Sequence, residues 1–597
     1  MRPIFVASLA AVLFFTACSR EQPPDAAPQA KASAAEQLDA VFDEYFERYL
    51  ELHPLTATFV GDNRYNDRVA NTLGPEHRAE SLALEQEYLE RLEAIDRSAL
   101  DQQRQLSYDI FKLDREIEIE GDRFPGYLQP LNQFGSVMSY MVQLGSGASV
   151  HPFKTVEDYE NWLSRVDDFA VLAEQLVDNM REGMQQGIVR PRILMEKALP
   201  QLESQFVENV EDSAFYGPIR NMPESFSDAD RERLAAAFAI AIENKILPAF
   251  QSVYNFVGDD YMSAARETVG LSELPNGAEW YAFNVRVQTT TDMTPEEIHQ
   301  VGLDEVTRIH DEMRGVMEEV GFEGDLHDFF DFMNSDDQFF YDEPEELIQG
   351  YRDMTENVTE LARDLFEIFP ETPFEVRRVE PYREQSAAGG SYQSGNPDGS
   401  RAGVFYANAY NMRARPKWAM ESLFLHEAIP GHHFQIMIQR ENEELPRFRR
   451  FGGFGAFIEG WGLYAETLGK ELGVYTDPYS YFGALNAELW RAIRLVVDTG
   501  IHAKGWDKQQ VLDYMYANSA VAEARAVAEA ERFMAIPGQA LSYKIGQLKM
   551  LEIRASAEER LGEKFDVKAF HTEVLRDGAM PLSMLEAKID RWVDAQL

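Results

Sequence analysis

Only one cysteine, Cys18, occurs among the 597 residues, so no intramolecular disulfide can form and stability has to come from packing. Basic residues are scarce beside acidic ones: 56 Lys+Arg against 102 Asp+Glu give 56 − 102 = −46. That charge repels phosphate backbones and anionic headgroups, which excludes a general nucleic-acid or lipid-headgroup surface and leaves room only for a locally basic groove. Long apolar runs are missing as well; the stretch Ile4 to Phe15 is too short to span a bilayer comfortably. No period of 20 to 50 residues repeats, so a solenoid is not supported. What is present excludes wholesale disorder: 45% of residues are hydrophobic and 12% aromatic, enough for a large buried core in one multi-lobed body or two coupled lobes.

The N-terminus carries Arg2, the apolar stretch and then Thr16-Ala17-Cys18. This order of basic start, hydrophobic region and small residues predicts a signal peptide over residues 1–17. A cysteine just after small residues resembles the lipobox of bacterial lipoproteins, which implies cleavage before Cys18 and its acylation; an ordinary secreted protein with an incidental Cys18 is the alternative. Residues 18–37 read as a Pro- and Ala-rich flexible tether. Ser19 stands where an aspartate would commonly signal inner-membrane retention, so the resemblance implies an outer-membrane anchor with the body, residues 38–597, in the periplasm. The membrane would then be reached only through the lipid on Cys18.

From Leu38 onward apolar residues recur every three and four positions, as in Leu38, Val41, Phe42, Tyr45, Phe46 and Tyr49, which predicts a mostly α body. Thr294-Pro295-Glu296-Glu297 combines a threonine cap, a first-turn proline and a glutamate at the third position, the signature of a capping box. The exception to helix is 374–410. There Phe374 to Val379 alternates, Gly389 to Ser400 reads as a loop, and Gly403 to Asn408 reads as a second short strand, giving a small β-sheet.

Just downstream, Leu425-His426-Glu427-Ala-Ile-Pro430-Gly431-His432-His433 places three of eleven histidines within eight residues beside a glutamate. A lone histidine is usually a polar surface or helix-end residue. His-Glu followed by His is instead the grammar of zinc peptidases, with imidazoles on the metal and the carboxylate as general base. An undistorted helix cannot bring either later histidine beside His426, because seven residues rise about 10.5 Å. Pro430 and Gly431 predict a bulge that loops out two residues and puts His432 in the ligand position; looping out three would select His433. A third ligand is required, and Glu459, in the apolar stretch Phe457-Ile458-Glu459-Gly460-Trp461, is the candidate. Glu466 is the alternative ligand or an orienting group, and pairing of Glu459 with Arg491 or Arg494 is the bland alternative.

His426 to Gln435, Ile458-Glu-Gly-Trp461, Arg494 to His502 and Ile536 to Gly546, with Leu274-Pro-Asn-Gly277 and Thr291 to His299 upstream, together resemble the bacterial DUF885 family over residues 40–590. The resemblance implies a mostly α, gluzincin-like body with a central cleft, related in architecture to the neurolysin and angiotensin-converting-enzyme class, holding one Zn2+. In that family the first histidine after Pro-Gly is the steadier one, which favours His432 and leaves His433 near the ligands or the substrate. It further implies that an edge strand before the zinc helix aligns an extended substrate.

Within that frame Tyr543 is the candidate to stabilise the oxyanion, with Lys544 about 100° away on the same helix less suited. Asp498 and His502, four apart, are read either as a hydrogen-bonded pair that orients a ligand or as a solvated pair. Tyr392, Asp398 and Arg401 are substrate-facing candidates or turn formers in the loop before the second strand, and Arg525 and Arg532 could bind a substrate carboxylate or simply face solvent. The expectation is a membrane-tethered periplasmic zinc peptidase acting on short peptides, with Glu427 and Tyr543 catalytic and His426, His432 and Glu459 on the metal. A zinc amidase or deacylase and a non-catalytic lipoprotein binding module are the alternatives.

Overall fold

Ser33 opens the first helix, Ala34–Leu52: its hydroxyl accepts the Glu36 N–H while Glu36 reaches back to the Ser33 N–H. This capping box starts the helix inside the segment 18–37 read as tether. The computed structural model describes residues 32–597 apart from 381–383, 385, 386 and 400, so the signal peptide, Cys18 and most of the tether lie outside the described residues. Among the described residues no helix is long and apolar enough to cross a membrane.

The body is helical, as the 3.6-residue period predicts. Helix Pro295–Val320 begins at the capping box of Thr294 and Glu297 and buries Ile298, Val306, Ile309 and Met313 along one face. That face lies against the long helix Pro478–Lys504, and the two form the spine of the fold. A second tight pair is made by helices Gly455–Thr467 and Ser542–Leu561, which meet at Gly460 and Gly546. A Cβ on Gly546 would stand 2.0 Å from the Ala456 carbonyl oxygen, so only glycine permits this approach. Two large hydrophobic cores result. One surrounds helix Val156–Gln186, with Trp162 and Phe169 fully buried. The other gathers Phe42, Phe111, Phe424 and Trp461 from the N-terminal helix and the segments around the histidine motif.

The sheet has three strands, one more than the sequence predicts. β1 (Phe374–Arg378), β2 (Gly390–Gln393) and β3 (Gly403–Ala407) run in the order β1-β3-β2. β1 pairs with β3 in parallel with Val376 opposite Phe405, and β2 pairs antiparallel with Tyr392 opposite Phe405. β2 falls in the segment read as a Gly/Ser-rich loop, so Tyr392 is a strand residue. β3 is therefore the central strand, with both sides hydrogen-bonded to neighbours; the edges belong to β1 and β2.

Candidate metal centre

The histidine motif is two helices rather than one bulged helix. Met420–Glu427 ends at Glu427, four residues turn the chain through a cis Ile429–Pro430 bond, and His432 opens the helix His432–Glu441. The bulge expectation is thus corrected: four residues leave the helix, because Pro430 has no N–H to continue the ladder. The turn is held from outside by Trp461, whose Nε1 donates to the Pro430 carbonyl at 2.9 Å.

This turn swings the two imidazoles together, with ring centroids 4.6 Å apart and planes at 79°. Glu459, on helix Gly455–Thr467, completes a group whose ligand atoms all lie within 4.8 Å of one another. Its Oε2 is 3.5 Å from Nε2 of His426 and 3.4 Å from Nε2 of His432. Vertices of a tetrahedron with bonds of about 2.0–2.1 Å are about 3.3–3.4 Å apart, so a small divalent ion fits between these atoms. Glu459 Oε2 is shielded from water and has no hydrogen bond of acceptable geometry, nor has the buried Nδ1 of His432. A carboxylate oxygen in that condition calls for a cation. The ring of His426 occupies the space where Gly462 has no side chain: a Cβ there would stand 2.7 Å from His426 Cε1.

The electrostatics agree with a site that holds positive charge. Burial disfavours the His426 imidazolium, yet Glu459 and Glu466 outweigh it and raise its pKa to about 9. Burial likewise opposes the Glu459 carboxylate, but the two imidazoles hold it well below the usual range. Behind His426, its Nδ1 bonds Glu466 Oε1 at 2.9 Å, and Glu466 is in turn held by the Ser422 hydroxyl and by Arg491 at 3.2 Å. Glu466 is thereby turned away from the ligand group. Arg491 faces Glu466 and Arg494 faces Glu529 at 2.7 Å, so neither pairs with Glu459. Ser422 and Gly462 carry no sequence signal of their own, beyond Ser422 preceding His426 by one helical turn.

Glu427 sits one residue beyond His426 at the helix end, half-buried, and forms no hydrogen bond or ion pair among the described residues. Tyr543, in the first turn of helix Ser542–Leu561, lays its ring 6.4 Å from that of His426 at an interplanar angle of 15°. Its hydroxyl lies 3.4 Å from Arg532 Nη2 and 3.5 Å from Gln539 Nε2.

Other candidates lie elsewhere. His433 points to the sheet, bonded to Tyr392 Oη at 2.9 Å and packed on Phe374; burial lowers its pKa to about 4, so it is a neutral ring. Arg401 donates to the Ser394 carbonyl at 3.0 Å within the loop it shares with Asp398. Asp498 and His502 are buried but do not bond each other. Asp498 accepts from Tyr281 at 2.6 Å and from the Gly538 N–H, whereas His502 Nδ1 accepts from the Leu271 N–H at 2.9 Å and Nε2 donates to the Phe533 carbonyl at 2.9 Å. Both pin the segments around 271 and 536, which corrects the pairing expected from their spacing. Lys544 is fully buried between Glu305 at 2.7 Å and Glu488 at 2.5 Å.

The chain is similar to a structure described as a "putative lipoprotein" from Colwellia psychrerythraea, with 29% identity and a TM-score of 0.88 over 94% of this chain and 100% of that one. A "putative lipoprotein of unknown function" from Shewanella oneidensis shares the fold at 18% identity, with a TM-score of 0.73 over 93% and 99% of the two chains. Among curated proteins none matches. The model for the family described as "Bacterial protein of unknown function (DUF885)" matches residues 54–589, and the chain belongs to that family.

Proposed function

We propose that this protein is a zinc-dependent hydrolase that cleaves amide bonds in short peptides. The observation that carries the reading is the convergence of His426, His432 and Glu459, from three helices, on one point with ligand-like spacing, next to an unpaired Glu427. A bound Zn2+ would supply Lewis acidity toward a carbonyl and lower the pKa of water in the site.

The remaining chemistry belongs to the chain. Glu427 takes a proton from the attacking water and returns it to the departing amine, for which a carboxylate with no other partner is suited. The Tyr543 hydroxyl donates a hydrogen bond to the carbonyl oxygen as charge builds there. Glu466 holds the Nδ1 proton of His426, so that Nε2, on the side of Glu459 and His432, is the nitrogen that would give its lone pair to a bound ion in exchange for its proton. A gluzincin-like relationship follows from this reading of the motif. Anchoring in the outer membrane follows from Cys18 and Ser19, and the solved neighbours described as putative lipoproteins support a lipid anchor.

Metal analysis and a peptide-library digest test the proposal together. The purified protein should carry about one equivalent of zinc, lost in Glu459→Ala. Glu427→Gln should keep the metal and lose at least about a hundredfold in hydrolysis, at the scale of general-base catalysis. A zinc-loaded protein that cleaves no amide would leave a metal-binding lipoprotein module and end the hydrolase reading.

A further inference from the structure

A chain with a net charge of −46 gathers three arginines around Tyr543 and a fourth against the neighbouring Trp490. The guanidinium of Arg494 lies 4.8 Å from the Tyr543 ring centroid and that of Arg491 6.0 Å. Arg532 reaches the Tyr543 hydroxyl at 3.4 Å, and Arg525 stacks 5.1 Å from the Trp490 ring. Three carboxylates face this group, one of them the buried Asp498 near Arg532. Glu529 engages Arg494 at 2.7 Å and Arg532 at 3.3 Å, while Glu466, 3.2 Å from Arg491, is shared with His426. Positive charge is left over.

The surplus is visible atom by atom. Arg491 and Arg494 each keep a buried Nε with no hydrogen-bond partner, and Arg494 is only 7% exposed. Arg525 makes no hydrogen bond or ion pair among the described residues. Arg525 is exposed to solvent. Solvent thus reaches the group on the Arg525 side, while the Arg491 and Arg494 side chains are only 15% and 9% exposed, and the arginines form a recess open at Arg525. Holding like charges together in such a place is unfavourable unless an anion joins them, and guanidinium forks suit a carboxylate.

We infer that this recess binds a carboxylate of the substrate one tyrosine away from the metal ligands, so that the protein prefers peptides presenting an anionic group beside the scissile bond. The inference rests on the hydrolase reading for its substrate but not for its binding. A free C-terminal carboxylate and an acidic side chain offer the same chemistry. Arg525, unpaired and ready to accept the anion, is the binding residue that a substitution should expose.

The test uses the full chain as zinc-loaded Glu427→Gln, with calorimetric binding of tetra-alanine, tetra-alanine amide and Ala-Ala-Glu-Ala amide; the same peptides are offered to the unaltered enzyme. Tetra-alanine should bind about ten- to a hundredfold tighter than its amide, the scale of a charge-assisted contact. Arg525→Gln should erase that preference and Arg525→Lys restore part of it, a rescue that a structural role would not produce. The glutamate-containing amide assigns the source: binding like the free acid admits side chains, and binding like the plain amide restricts the recess to the terminus. Equal binding of acid and amide, no binding of any peptide, or a preference untouched by Arg525→Gln would overturn the inference. Carboxylate-dependent binding without cleavage by the unaltered protein would keep the recess and remove the hydrolase; cleavage indifferent to the carboxylate would do the reverse.

Discussion

His426 and Glu466 are joined by a 2.9 Å hydrogen bond from Nδ1 to Oε1, on the side of the ring opposite the Nε2 that faces Glu459. The carboxylate fixes which nitrogen carries the proton and hence which one can bind a metal. Glu466→Gln keeps a hydrogen-bonding group of the same length but removes the charge, and Glu466→Ala removes both. Zinc affinity, measured by competition with a chromogenic chelator, should fall about 10- to 100-fold in the alanine variant and less in the glutamine variant. Equal affinities in all three proteins would show that Glu466 does not act through His426.

The missing side chain at position 462 sets the place of the His426 ring. Gly462→Ala would put a methyl group 2.7 Å from Cε1, and the ring lies in a packed helix interface with little room to retreat. The variant should lose zinc affinity and also about 1–3 kcal/mol of stability to overpacking. Metal titration and chemical denaturation check the two effects separately, and an alanine protein with native affinity would mean that the ring can move without cost to the site.

How much of this was readable beforehand depends on the range of the interaction involved. Helix Pro295–Val320 was legible because its cap, first-turn proline and apolar face are all local. The candidate ligands were legible because His426 and Glu427 adjoin and because Glu459 stands in an apolar stretch. β2 was not, since its composition marks it as loop and its backbone is ordered by pairing with β3, a partner that no local pattern names. Asp498 and His502 misled for the same cause: four-residue spacing places them on one face, but their partners come from Tyr281, Leu271 and Phe533, far away in the chain. The arginine recess combines helices Pro478–Lys504 and Glu523–Ala535, which no local pattern brings together.

Lys544 separates a structural charge from a catalytic one. It bridges Glu305 and Glu488 in the interior, where removing one partner leaves uncompensated carboxylates. Arg308 also reaches both glutamates, at 2.8 and 2.6 Å, so the loss is cushioned. Lys544→Met should cost about 3 kcal/mol, the low end for a broken buried pair, read as a lower denaturation midpoint. Peptide hydrolysis by the folded fraction should stay within about twofold, since the ammonium is committed to the two glutamates; a large fall in kcat would return Lys544 to the site.

Asp498 offers a pH-dependent test of the interior. Burial, only partly offset by the Tyr281 and Gly538 hydrogen bonds, raises its pKa to about 7 from an ordinary 3.8. The folded protein therefore holds this proton more tightly than the unfolded chain. The resulting stability is fully present below about pH 4 and is lost as pH rises through 7. Asn in place of Asp keeps an oxygen for Tyr281 and Gly538 and never ionises. The stability of Asp498→Asn relative to the unaltered protein should thus climb between pH 4 and 8, by at most about 4 kcal/mol for a change of about three pKa units. Urea unfolding of both proteins across that range measures the difference. A gap that stays constant with pH would mean that Asp498 remains charged in the folded core, held so by Arg532 more strongly than burial opposes it.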